Sequence, residues 1–136
     1  METRLELTET AVPANVRRIR HKVAEVASDA GASRTVVDEI ALCVSEAVAN
    51  VATHAYDDAG GPVDVRVEAD DDILKVVVRD RGRGLEHPPS PTDGFGLTII
   101  RTLSRDVSIS SSPGRGTELR LRFPLGAPRQ RSSRAA

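Results

Sequence analysis

The stretch Asp38-Glu39-Ile40-Ala41-Leu42-Cys43-Val44-Ser45-Glu46-Ala47-Val48-Ala49-Asn50-Val51-Ala52-Thr53-His54 decides the fold. It reads as one helix, because its residues are mostly good helix formers and it holds neither Gly nor Pro. Ile40, Val44, Ala47, Val48 and Val51 recur at steps of three and four, which makes an apolar stripe directed at a core. Glu46, Asn50 and His54 stand four apart, so they line up along one face, one turn above another. A carboxylate and an amide on adjacent turns, beside a core-facing stripe, suit a buried polar ligand.

Upstream, Ser33 fits the N-cap of this helix. Earlier still, Pro13 marks the start of another helix over about residues 14–30, with Val16, Ile19, Val23, Val26 and Ala27 at helical spacing and Gly31 as its stop. The cluster Arg17, Arg18, Arg20, His21 and Lys22 reads as a solvated face, ahead of a surface for an acidic partner. Residues 3–9 alternate, Leu5 and Leu7 against Arg4, Glu6 and Thr8, as in a half-buried first strand.

Downstream, Asp57-Asp58-Ala59-Gly60-Gly61-Pro62 is a turn by composition. Val63, Val65, Val67 and Ala69 then alternate with Asp64, Arg66 and Glu68. After Asp70-Asp71-Asp72, Leu74, Val76 and Val78 alternate with Lys75, Val77 and Arg79, giving a hairpin with one buried face. Asp80 lies two residues beyond Val78 and continues the inward face. A carboxylate aimed at a core needs a partner. Arg81-Gly82-Arg83-Gly84 follows, where two glycines permit a tight turn and close approach of a ligand to backbone.

Residues 85–93 read as a loop with Pro88, Pro89 and Pro91. Gly94-Phe95-Gly96-Leu97 opens a helix over about 96–104, and a glycine turn at a helix N-terminus suits phosphate. A strand with Val107 and Ile109 comes next, then the turn Pro113-Gly114-Arg115-Gly116. A last strand places Thr117, Leu119, Leu121 and Phe123 on one face, so Thr117 points inward like Asp80. The organisation expected is one domain over 1–125 and a disordered polar tail over 126–136.

Composition narrows the function classes. The chain has 136 residues, 29% of them charged, with a net charge of −1. A domain of that size buries roughly 65–70% of its unfolded surface and needs no staples. The balanced charge argues against direct nucleic-acid binding. Aromatics at 2% and no Trp argue against base-stacking platforms as well. The single cysteine, Cys43, reads as a small buried apolar residue. There is no apolar leader at Met1-Glu2-Thr3-Arg4-Leu5-Glu6 and no stretch of membrane length, so the expected location is cytoplasmic, without a membrane partner.

Glu46 and Asn50, Asp80 with Gly82 and Gly84, Gly94 and Gly96, then Gly116-Thr117 form a set that a purine nucleotide would use in full. Asp80 can accept from an exocyclic amino group, which favours adenine over guanine, and Thr117 can reach the same edge. The 94–96 turn can hold phosphates. The Asn50 amide, with phosphates and waters, can complete an octahedral Mg²⁺ shell. Glu46 can take a proton from a nucleophile.

Glu46-x-x-x-Asn50, Asp80-x-Gly82-x-Gly84, Gly94-Phe95-Gly96-Leu97 and Gly114-x-Gly116-Thr117 resemble the GHKL, or Bergerat-fold, ATP-binding domain over about 3–124. The run from Glu46 to Tyr56 looks like that of the bacterial anti-sigma-factor serine kinases. The resemblance implies an α+β fold, a two-layer α/β sandwich of the histidine-kinase-like ATPase type. Its mixed, mostly antiparallel sheet is backed by three helices, and ATP lies between the helices and a short lid. It also implies a Glu46 base, a Mg²⁺ ligand at Asn50, an adenine contact at Asp80, and nucleotide contacts from Gly82, Gly84, Gly94, Phe95, Gly96, Leu97 and Thr117. Its function would be transfer of phosphate from ATP to a serine of an anti-anti-sigma antagonist, with a sigma factor as the other partner and a homodimer as the working form.

The chain departs from this pattern at the lid. Family kinases often carry a basic residue just before Gly-x-Gly, meeting the terminal phosphate; here that place holds Pro91-Thr92-Asp93, which leaves Arg81, Arg83 and Arg101 as candidate substitutes. The departure supports an alternative, an ATP-binding module that sequesters a partner without phosphotransfer. The catalytic half of a histidine kinase fits less well, since there is no phosphoacceptor helix domain and Lys22 follows His21 where an acid would be expected.

Overall fold

The computed structural model describes residues 1–57, 60–84, 97–104 and 106–126. The elements follow from the alternations and spacings above. They are β1 (Glu2–Thr10), α1 (Pro13–Asp29), α2 (Arg34–Asn50), β2 (Pro62–Ala69), β3 (Ile73–Asp80), α3 (Leu97–Leu103), β4 (Asp106–Ser111) and β5 (Thr117–Pro124). The strands form one sheet in the order β1-β2-β3-β5-β4, and each described pairing is antiparallel. β1 carries a bulge between Thr3 and Leu5.

Helices cover one face of the sheet. Ile19 and Val23 of α1, Ile40, Val44 and Val48 of α2, and Ile100 of α3 are fully buried, as are Val63, Val67, Leu74, Val76, Leu121 and Phe123 of the sheet. Burying a side chain of that kind contributes about 1.5–3 kcal/mol, and Phe123 is the one aromatic among these otherwise aliphatic residues. Ser33 caps α2, its side chain accepting from the Val36 N–H at 3.2 Å. Pro13 opens α1, and Gly31 takes φ +101° just after it ends. Cys43 is fully buried, and burial, helped by Glu39 and Glu46, pushes its thiol up to about 12.

The other face of the sheet carries ion pairs: Lys75–Glu68 at 3.0 Å, Arg81–Asp64 at 2.8 Å and Arg120–Glu118 at 2.7 Å. On α1, Arg18 and Lys22 both meet Glu9 of β1. Exposed pairs of this kind contribute at most about 1 kcal/mol each.

One expectation is corrected. The central helix is not a single α-helix to His54: the α form ends at Asn50, and Val51–Ala55 continue as a π-helical turn. The physical reason lies in contacts far along the chain. The Ala55 carbonyl accepts from the Arg83 N–H at 2.9 Å, and Tyr56, next in sequence, is bonded to the strands beyond. The loop expected over 85–93, the Gly94-Phe95-Gly96 turn and the tail beyond Gly126 lie outside the described residues. α3 begins at Leu97, close to the start expected for that helix.

Candidate active site

Antiparallel pairing aligns the ends of three strands into one row. Asp80 of β3 sits opposite Thr117 of β5, and Thr117 sits opposite Ser111 of β4. The inward parity of β3 buries Asp80 to 5% exposure. Its carboxylate accepts from the Gly82 N–H at 2.9 Å and from the backbone N–H of Thr117. Burial pushes its carboxyl above the ordinary Asp value; the two N–H donors pull the other way and are outweighed. A carboxylate held like this keeps acceptor capacity for a further donor.

Asp80, Thr117 and Gly84 line a cavity together with Asn50 and His54 from the end of α2 and the π-helical turn. The empty space in it is about 580 Å³, the part open to solvent included. The remaining described walls are Ala47, Val51, Ala55, Val78, Ile109 and Leu119, all apolar. An apolar slot with a few converging polar groups suits a flat heteroaromatic ring with a donor edge. Glu46, one turn before Asn50, is half-buried and is not among the described lining residues.

The glycines after Asp80 let the chain pack closely on itself. A Cβ on Gly82 would stand 2.1 Å from the Ala55 carbonyl oxygen, and one on Gly84, at φ +72°, would stand 2.0 Å from that of Ser112. The close approach documented here is of the chain's own backbone, which brings the turn against both the π-helical turn and the end of β4. Gly84 also lines the cavity. Gly94, Phe95 and Gly96 lie outside the described residues, and Leu97 is the first residue of α3.

Tyr56, the only tyrosine, fastens this corner. Its hydroxyl donates to the Pro62 carbonyl at 2.7 Å and accepts from the Arg81 N–H at 2.8 Å. The candidate substitutes for a lid cation are engaged elsewhere or distant in the chain. Arg81 pairs with Asp64 on the outer face of the sheet, Arg83 pairs with Asp57 at 3.1 Å, and Arg101 is exposed in the last turn of α3.

Sequence reading left out three contributors: His54 as a cavity residue, Tyr56 as a fastening, and Ser111. The four-residue step from Asn50 was a signal for His54. Nothing local signalled the other two, whose partners are set by strand pairing and by the fold of the turn.

A divalent ion fits the donor set in one way. Among the described residues no group of three or more His, Cys, Asp or Glu side chains can hold a metal. Mg²⁺ characteristically takes few protein ligands and completes its shell with waters and substrate phosphates. The Asn50 amide at the cavity matches that habit.

The comparisons agree with this geometry. The family model described as Histidine kinase-like ATPase domain matches residues 10–123. The chain is 31% identical to an anti-sigma F factor of Bacillus licheniformis, over 89% of this chain and 92% of the relative. It is also 31% identical to a serine-protein kinase RsbW of Bacillus velezensis, over 84% of each. The solved RsbU and RsbW domains of a Mycobacterium tuberculosis protein superpose with TM-score 0.68 at 24% identity, over 90% of this chain and 33% of that one, a likeness of fold. No described helix is long and apolar enough to cross a membrane. A two-layer α+β sandwich, a matching family model over most of the length and relatives at this identity together place the chain in the histidine kinase-like ATPase family, in its branch of anti-sigma-factor serine kinases.

Proposed function

We propose that this protein binds Mg·ATP in the cavity between α2 and the ends of β3 and β5, and transfers the terminal phosphate to a serine of an anti-anti-sigma antagonist. In the same reading it holds a sigma factor when that antagonist is phosphorylated, and it works as a homodimer. The observation that carries the proposal is the sharing of one apolar cavity by a buried strand-end carboxylate, Asp80, and a helix-end amide, Asn50.

The roles follow from the chemistry of each group. Asp80 accepts from the adenine amino group, and Thr117 adds a hydroxyl at the same edge. Asn50 holds Mg²⁺, which when bound draws charge off the phosphates. Glu46 receives the proton of the attacking serine hydroxyl. Gly94, Phe95, Gly96 and Leu97 supply backbone N–H groups to the phosphates, and Gly82 and Gly84 shape the turn beside the base.

The test is incubation of the purified chain with Mg·ATP and a candidate antagonist. Phosphoserine should form with wild type and be lost in Glu46→Ala. No phosphoserine with any candidate, and no difference between the two proteins, would refute the kinase reading. A second reading has one specific observation behind it. Arg81 and Arg83, two cations near the glycine turn, are paired with Asp64 and Asp57, and phosphoryl transfer needs positive charge around the moving group. In that reading ATP orders the fold and the work is sequestration; partner binding unchanged by Glu46→Ala, without phosphoserine, would favour it. Sedimentation of the free chain checks the dimer.

A further inference from the structure

Consecutive backbone N–H groups at the end of β3 hold two parts of the molecule at once. The Gly82 N–H reaches the Asp80 carboxylate at 2.9 Å. On either side of it, the Arg81 N–H reaches the Tyr56 hydroxyl at 2.8 Å and the Arg83 N–H reaches the Ala55 carbonyl at 2.9 Å. The turn that carries Asp80 therefore also grips the end of the helical stretch that begins with α2. Tyr56 leaves the π-helical turn in an extended conformation. Its hydroxyl gives its proton to the Pro62 carbonyl at the start of β2, 2.7 Å away, and accepts from Arg81 with a lone pair. One oxygen thus ties the helix end to the start of β2 and to the end of β3. The helix end brings Asn50 and His54 to the cavity, and the end of β3 brings Asp80 and Gly84.

We infer that Tyr56, which is not among the described cavity walls, is a positioning residue that sets the span between the Asn50 amide and the Asp80 carboxylate. The inference rests on the proposal that Asn50 holds Mg²⁺ and Asp80 the base of one ATP. A ligand held at both ends needs that span fixed beforehand, because ordering it on binding costs affinity. A ligand held at one end does not. Removing the Tyr56 hydroxyl leaves the groups at each end in place and loosens the distance between them.

The experiment measures equilibrium binding of ATP to the full chain twice, in excess Mg²⁺ and in EDTA. The ratio of the two affinities reports what the Asn50 end adds to the Asp80 end. Wild type should gain from Mg²⁺, and Asn50→Ala should lose that gain. Tyr56→Phe should reduce the gain about three- to ten-fold, the worth of one neutral hydrogen bond, with affinity in EDTA within about two-fold of wild type. Gly61→Ala disturbs the same joint from its other side, because a Cβ there would stand 2.5 Å from the Tyr56 ring, and it should reduce the gain as well. Val23→Ala, fully buried on α1 and not among the cavity walls, lowers stability alone and should keep the wild-type ratio. An unchanged gain in Tyr56→Phe or Gly61→Ala, or an equal reduction in Val23→Ala, would overturn the inference. So would equal weakening in Mg²⁺ and in EDTA, the mark of a purely structural role. If wild type binds no ATP, or gains nothing from Mg²⁺, the nucleotide reading of the cavity falls and this inference with it. A wild-type gain that Asn50→Ala abolishes and Tyr56→Phe leaves whole sinks the Tyr56 inference alone.

Discussion

Two aspartates of the same hairpin face opposite sides of the sheet. Asp64 of β2 is on the outer face, where Thr8 Oγ1 donates to it at 2.6 Å and the Arg81 guanidinium at 2.8 Å. Asp80 of β3 is on the inner face, 5% exposed, and held by the backbone N–H groups of Gly82 and Thr117. The outer one sits where charged residues normally sit and exchanges one solvated partner for another. The inner one is an ionisable group placed where burial opposes its charged form. Strand parity alone separates them, and an ionisable group on the apolar parity is what singles out the candidate site.

Predictions that break or sharpen this contrast run from large effects to small. Leu121 and Arg120 are consecutive on β5 and face opposite ways. Leu121→Ala should cost about 2–5 kcal/mol of unfolding free energy, read from denaturant midpoints. A loss no larger than that of an exposed site would erase the distinction between the faces. Next, Asp80→Asn should weaken Mg·ATP binding by about 1.5–3 kcal/mol, measured by titration calorimetry, while Asp64→Asn leaves it unchanged.

Asp80 also gives a pH signature. Its folded value lies above its unfolded one, so the folded state binds more protons in the interval between them. The stability it contributes is fully present below the ordinary Asp value and is lost as pH rises through the raised one. Asp80→Asn should therefore melt at or above the wild-type temperature near neutrality, with the gap closing on acidification. ATP affinity should fall as pH drops into the same interval, because the protonated carboxyl is a poorer acceptor. Identical melting profiles for the two proteins at all pH values would contradict the assigned shift.

Smaller again, Tyr56→Phe removes two hydrogen bonds at the inner corner and should cost about 1–2 kcal/mol in thermal or denaturant unfolding. The smallest effect belongs to the outer face. Arg120→Ala should change stability by no more than about 1 kcal/mol, and less in high salt.

Much of this was readable from residues. Alternation gave β2, β3 and β5, and parity sent Asp80 and Thr117 inward because each lies two residues from a buried aliphatic. Spacing gave α1 and α2, and Ser33 and Pro13 gave their starts. What could not be read depended on distant pairing. Only the β3–β5 and β4–β5 register brings Ser111, Thr117 and Asp80 into one row. The π-helical turn after Asn50 is fixed by the Arg83 N–H and by Tyr56, whose partners come six and 25 residues later. Local propensity in Val51–Ala55 carries no trace of those bonds, so a continuous helix was the natural reading. The room needed at Gly82 has the same origin: what approaches is Ala55, and no count of glycines identifies the neighbour.

The bulge on β1 has a consequence for solubility. β1 borders the sheet, and a straight bordering strand offers its free N–H and C=O groups to any extended chain nearby. Between Thr3 and Leu5 the register slips, and Glu2, Arg4 and Glu6 place charges of both signs along the same border. A foreign strand laid against it would meet a kink and mismatched charges within its first few residues, so this margin of the molecule is guarded against indiscriminate stacking into aggregates.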